Sequence, residues 1–94
     1  MPTYEATDDF IRDLGRLTRE QRLAFRRAVG RFVEDTRSGK FRSGLRVKGI
    51  QGRPGSFEMT WADNGRAIFT YGPAVLSGET HIVWLAVGTH EILP

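Results

Sequence analysis

Leu45-Arg46-Val47-Lys48, Phe57-Glu58-Met59-Thr60-Trp61, Gly65-Arg66-Ala67-Ile68-Phe69-Thr70-Tyr71 and the run from His81 to His90 decide the fold. Read with the two-residue period of a strand, they form an antiparallel sheet with one apolar face. In the first run Leu45 and Val47 point one way and Arg46 and Lys48 the other. In the third, Ala67, Phe69 and Tyr71 share a side, which leaves Arg66, Ile68 and Thr70 opposite. The last strand, from about His81 to Val87, sets Ile82, Trp84 and Ala86 against His81, Val83, Leu85 and Val87. Both of its faces are largely apolar, which places it centrally.

The connections agree with this reading. Asp63-Asn64-Gly65 lies between two aromatic-rich strands, and Asn-Gly there favours a tight reversal with positive φ. Gly49 to Gly55, with Pro54, reads as a loop or a bulged hairpin. A looser connection runs from Gly72-Pro73 to Gly78-Glu79, and Gly88-Thr89-His90 closes the last strand.

Upstream, Thr3 to Thr7 is a short candidate strand that joins the sheet. Thr7 or Asp8 then caps a helix whose first turn is acidic, with Phe10, Leu14 and Leu17 on one face, Ile11 beside them, and Gly15 weakening it. Thr18-Arg19-Glu20-Gln21 has the form of a capping box. The helix it starts carries Phe25, Ala28, Val29, Phe32 and Val33 on one face and arginines around most of the rest. Ser38-Gly39-Lys40 stops it. The expected architecture is α+β: a short N-terminal strand, an antiparallel helical hairpin, then a twisted antiparallel sheet of about four strands.

A chain of 94 residues supports one core, and 39% apolar with 11% aromatic residues is enough to build it. Cysteine is absent, which excludes disulfide and thiolate-metal frameworks. The N-terminus has no leader pattern and no run approaches membrane-spanning length, so a soluble, cytoplasmic protein without a membrane partner is expected. Charge is sorted along the chain. Residues 12 to 53 hold 13 Lys and Arg against four Asp and Glu, a balance of +9, while the segments on either side each come to −3. A basic surface of this kind attracts phosphate backbones, acidic proteins or anionic lipid.

Phosphate-loop, dinucleotide and nucleophile-elbow patterns are missing, and the two histidines, His81 and His90, have no carboxylate at a metal-completing spacing. No cofactor or metal is expected. The remaining set suits metal-free RNA cleavage, in which a 2′-hydroxyl is deprotonated, a phosphorane is stabilised and the leaving oxygen is protonated. Arg66 and Arg46 can hold a phosphate, Lys48 can add a charge or a proton, and His90 can transfer protons at neutral pH. Glu58 can act as base or orient a cation, and Arg53, in the glycine-rich loop, joins the substrate-binding set. Each has a plainer reading as well. Arg46 and Lys48 can simply solubilise the open face, Arg66 can cap its turn, Glu58 can pair with Arg66 across the hairpin, and His81 reads as a strand-edge residue without a role.

The order of elements and four motifs, Leu45-Arg46-Val47-Lys48, Gly55-Ser56-Phe57-Glu58, Gly65-Arg66-Ala67-Ile68-Phe69 and Val87-Gly88-Thr89-His90, resemble the RelE/ParE superfamily of type II toxin-antitoxin systems. The resemblance covers nearly the whole chain and implies one RelE-like toxin domain over residues 1 to 94. In the ribonuclease branch, similar to RelE, YoeB and YafQ, it assigns Arg66 to the scissile phosphate, His90 to the catalytic histidine after the last strand, and Arg46 and Lys48 to the cationic strand. It further implies messenger RNA on the ribosome as target and a cognate antitoxin as partner. Glu58-Met59-Thr60 departs from the Glu-x-Arg of many relatives, and Glu91 to Pro94 lacks the usual aromatic residue. Two other functions fit less of the pattern: a ParE-like inhibitor of DNA gyrase without acid-base residues, and a basic RNA-binding module without toxicity.

Overall fold

The computed structural model describes residues 2–94. Strand β1 (Thr3–Ala6) leads into helices α1 (Asp8–Arg16) and α2 (Arg19–Ser38), which are followed by β2 (Lys48–Ile50), β3 (Arg53–Ala62), β4 (Gly65–Gly72) and β5 (His81–Thr89). The five strands make one sheet in the order β1-β5-β4-β3-β2. β1 runs parallel to β5, and every other neighbouring pair is antiparallel. The last strand is therefore interior, as its two apolar faces require.

Local chemistry starts and stops the helices. Thr7 accepts from the Phe10 amide at 3.1 Å and caps α1, whose first turn carries Asp8 and Asp9. At α2 the capping box is complete, with Gln21 N–H to Thr18 Oγ1 at 3.1 Å and Thr18 N–H to Gln21 Oε1 at 2.8 Å. Gly39 ends that helix in the left-handed region, at φ 73°. Both helices lie on the same face of the sheet. Phe10, Leu17, Phe25, Ala28 and Phe32 close there on Met59, Trp61, Ala67, Phe69, Ile82, Trp84 and Val87.

Four local expectations are corrected. Leu45 to Val47 is not strand: Ser43–Leu45 forms a 3-10 turn, Arg46 takes a left-handed conformation at φ 48°, and β2 begins only at Lys48. The turn carries Leu45 into the core, where it is 1% exposed, while Arg46 faces water. The reversal after β3 uses Asp63 and Asn64 without positive φ, because Gly65 already pairs with Ala62 as a strand residue. Gly65 has a different duty. The Trp61 indole lies on it, and a side-chain carbon there would overlap the ring. In β5 a bulge at Leu85 resets the alternation, so Val87, not Ala86, joins Ile82 and Trp84 in the core. Finally, His81 is not at an edge. It is buried between β1 and β4, with Nδ1 2.7 Å from Thr3 Oγ1 and Nε2 2.8 Å from Glu5 Oε1, and it ties the first strand to the sheet.

The end of α2 is clamped to the entry of the sheet by Arg42. Its Nε and Nη2 reach the two Asp35 oxygens at 2.8 Å each, and Nη2 also reaches Glu34 at 3.0 Å. The Arg42 side chain, then its backbone amide, lower the Asp35 pKa from 3.8 to about 2.

Gly65→Ala is expected to destabilise the fold by about 1–3 kcal/mol through overpacking against Trp61, read as a lower urea midpoint with a changed near-ultraviolet tryptophan signal. For Asp35 the folded pKa lies below the unfolded one, so its stabilisation is full above about pH 4 and fades as pH falls toward 2. The gap in Tm between wild type and Asp35→Asn should close over that interval.

Candidate functional site

With its inner face committed to the helices, the sheet offers chemistry on the outer face. Strand parity puts Glu58 and Thr60 of β3 there, beside Arg66, Ile68 and Thr70 of β4. In register, Glu58 lies opposite Lys48 on one side and Ile68 on the other, while Arg66 lies opposite Thr60 and Gly88. Glu58 is thus the cross-strand partner of Lys48 and not of Arg66. Its Oε1 is 3.2 Å from Lys48 Nζ, and although Glu58 is only 6% exposed, the lysine side chain is 63% exposed. Water at that lysine limits the pair to under about 1 kcal/mol. Arg66 is the diagonal neighbour of Glu58, and its Cα lies roughly 10–12 Å from that of Lys48 by strand spacing and rise.

Arg66 caps the hairpin beside it. Nη1 donates to the carbonyls of Ala62, Asp63 and Gly65 at 3.3, 3.2 and 2.9 Å, and the Arg66 carbonyl accepts from Trp61 Nε1 at 2.9 Å. Nε and Nη2 have no hydrogen-bond partner among the described residues. The capping role and a role toward a ligand are therefore compatible, since they use different edges of one guanidinium.

His90 opens a 3-10 turn, His90–Ile92, directly after β5. Its N–H donates to the Asn64 carbonyl at 3.0 Å, and its Nδ1 lies 2.6 Å from Asn64 Oδ1. The ring is exposed. Arg66 and His90 therefore both bond the Ala62–Gly65 reversal, Arg66 through the carbonyls of Ala62, Asp63 and Gly65 and His90 through Asn64. Neither is buried in the core.

The tail beyond His90 crosses the outer face. Ile92 rests on Gly88, where an added side-chain carbon would come within 2.9 Å of Ile92 Cγ2. Leu93 and Pro94 reach the far side and line, with Lys48, Ile50 and Glu58, a hollow of about 380 Å³. Ile68 and Glu58 are buried on this face of the sheet.

Not every expected site residue is gathered here. Arg46 is exposed on the turn before β2, and Arg53 begins β3 opposite Ile50, at the end remote from the Asp63-Asn64 turn. About nine residues of strand, on the order of 30 Å, separate Arg53 from that turn. Tyr71 shares the side of Phe69, as its parity implies, and packs edge-on against Phe57 and Phe69 while 45% exposed; burial of its ring raises its pKa. Sequence reasoning missed Asn64 as more than a turn former, and it missed Ile92. No cluster of groups able to hold a metal ion occurs among the described residues, and no helix among them is long and apolar enough to cross a membrane.

This architecture sets a helical pair on one face of a five-stranded mixed sheet and cationic and imidazole groups at its outer face and hairpin end. No protein-family model matches the chain, and no curated protein matches it by sequence. Solved structures do. A YoeB/ParE toxin from Agrobacterium tumefaciens superposes with a TM-score of 0.68 at 10% identity, over 94% of this chain and 98% of that one. The Escherichia coli DinJ-YafQ toxin-antitoxin complex matches with 0.63 at 14% identity, over 98% and 96%. The RelB-RelE antitoxin-toxin complex of Methanococcus jannaschii gives 0.60 at 18%, over 93% and 91%. The chain has the RelE/ParE toxin fold.

Gly88→Ala should lift Ile92 from the sheet. Hydrogen exchange is expected to speed up at the Ile92 and Leu93 amides while the amides of β4 stay protected.

Proposed function

We propose that this protein, as a single domain over residues 1 to 94, is the toxin of a type II toxin-antitoxin system and cleaves messenger RNA on the ribosome. The observation that supports the reading is that Arg66 bonds the Asp63 carbonyl and His90 bonds Asn64 in one turn, on a fold shared with RelE and YafQ toxin structures. A guanidinium with a free edge and an exposed imidazole at one end of a sheet supply two of the three functions that phosphodiester transfer without a metal uses, charge stabilisation and proton removal.

In the proposed reaction His90 Nε2 takes the proton of the 2′-hydroxyl, and the 2′-oxygen forms a bond to phosphorus. Arg66 donates Nε and Nη2 to the non-bridging oxygens as charge builds on the phosphorane. The bond from phosphorus to the 5′-oxygen breaks, and that oxygen takes a proton from the Lys48 ammonium. The products are a 2′,3′-cyclic phosphate and a 5′-hydroxyl. Glu58 keeps Lys48 over the outer face and is a positioning group in this scheme. Arg46 and Arg53, outside the centre, bind flanking phosphates. The exposed arginines of α2, among them Arg19, Arg26, Arg27 and Arg31, supply the basic surface for ribosomal RNA in the cytoplasm. A protein antitoxin is the expected partner, since the DinJ-YafQ and RelB-RelE structures are complexes of that kind.

The likeness to a YoeB/ParE toxin supports a second reading, inhibition of DNA gyrase by surface contacts. Primer extension on translated messages separates the two. Arg66→Ala and His90→Gln are each expected to lower cleavage by about 10²–10⁴-fold without unfolding the protein. Intact messages together with inhibited supercoiling would replace the ribonuclease with the gyrase inhibitor.

A further inference from the structure

Asn64 is more than the turn needs. No residue of the Asp63-Asn64 turn takes positive φ, so its backbone conformation does not itself call for asparagine. Yet this one residue holds His90 twice, by its carbonyl to the His90 N–H at 3.0 Å and by Oδ1 to Nδ1 at 2.6 Å. With the amide assigned so that Oδ1 faces the ring, the oxygen only accepts, and the hydrogen of that bond belongs on Nδ1. The neutral ring then carries its lone pair on Nε2, and Nε2 has no partner among the described residues. A free histidine side chain prefers the opposite arrangement, with its hydrogen on Nε2.

We propose that Asn64 is a positioning residue for His90, holding the ring in its Nδ1–H form and turning Nε2 toward the scissile linkage of the RNA. The inference rests on the ribonuclease reading given above. Two anchors on one residue restrict the imidazole at both ends: the backbone bond sets where the side chain starts, and the Oδ1 bond sets its rotation. The bond to Oδ1 also persists when Nε2 gains a proton, because Nδ1 donates in both states. The ring can therefore accept and release a proton without turning. An amide does this without adding charge, so it does not trap the proton as a carboxylate at the same place would. The charged residues nearest His90 in sequence and strand register are Glu91, next in the chain, Asp63, next to Asn64, and Arg66, opposite Gly88. Arg66 in turn fastens the carbonyls of Ala62, Asp63 and Gly65, on both sides of Asn64. The residue that orients the proposed base is thus framed by the group proposed to hold the phosphate.

The test uses the full chain as wild type, Asn64→Ala and Asn64→Asp. Two-bond nitrogen–proton spectra of the free protein report which ring nitrogen of His90 carries the hydrogen, with no RNA present. Wild type should show Nδ1–H, Asn64→Ala should move toward Nε2–H, and Asn64→Asp should keep Nδ1–H while His90 titrates at higher pH. In single-turnover cleavage on programmed ribosomes, Asn64→Ala should lose about 10²-fold in rate with message affinity unchanged. Asn64→Asp should still cleave, with the acid limb of its pH profile moved upward. An Nε2–H ring in wild type, or an unchanged rate in Asn64→Ala, overturns the assignment. Wild type that leaves messages intact while the tautomer responds as expected removes the ribonuclease instead, and keeps the Asn64 to His90 mount as a structural fact.

Discussion

The contact between Phe69 and Trp84, neighbours in register across β4 and β5, governs the rest of the molecule. Their rings lie 5.6 Å apart, and Phe32 of α2 covers both, at 5.0 and 5.4 Å. Phe10 and Phe25 meet Trp84 from the two helices at 5.8 and 5.7 Å. Such large apolar rings dominate core energetics, so whichever face of the sheet carries them must be the covered one. Glu58, Thr60, Arg66 and Thr70 of β3 and β4 are thereby sent to the opposite face.

Two bulges then refine what the ring layer sets. Trp61 is the extra residue in β3, and Leu85 is the extra residue in β5. The first lets the indole fold over Gly65 and donate to the Arg66 carbonyl, which braces the turn from the inner side. The second returns Val87 to the core and leaves Gly88 facing outward beneath Ile92. Bulges commonly re-aim side chains near functional sites. Here both act on the strand ends that carry Arg66 and His90.

The electrostatic layout follows the same division. The strong pairing of Arg42 with Asp35 and Glu34 lies at the junction of α2 and the sheet, where it holds architecture. On the outer face the ionic contacts are looser: Lys48 keeps its ammonium largely in water, and Arg66 uses one nitrogen on neutral carbonyls. Arg66, bonded only to neutral carbonyls among the described residues, keeps Nε and Nη2 available to an incoming anion, whereas Lys48 is shared with Glu58.

Much of this was legible in the residue order. The capping box at Thr18, the glycine stop at Gly39, the parity of Ala67 and Phe69 against Arg66, and the central place of the last strand are local or periodic signals, and they follow from hydrogen-bonding chemistry and apolar spacing alone. The motifs that placed Arg66 after the reversal and His90 after the last strand were legible in the same way. What the linear order could not hold were the events that depend on a partner far along the chain. Leu45 leaves the strand pattern and is buried in the core, Leu85 bulges so that Val87 and Trp84 both turn inward, and His81 is enclosed by a first strand 78 residues away. Asn64 meets His90 across 26 residues, and only strand pairing closes that distance. Sequence alone determined which groups exist and which face each strand shows; the tertiary structure decided which of those groups touch, because contact is set by register and packing, and neither is written in any one segment.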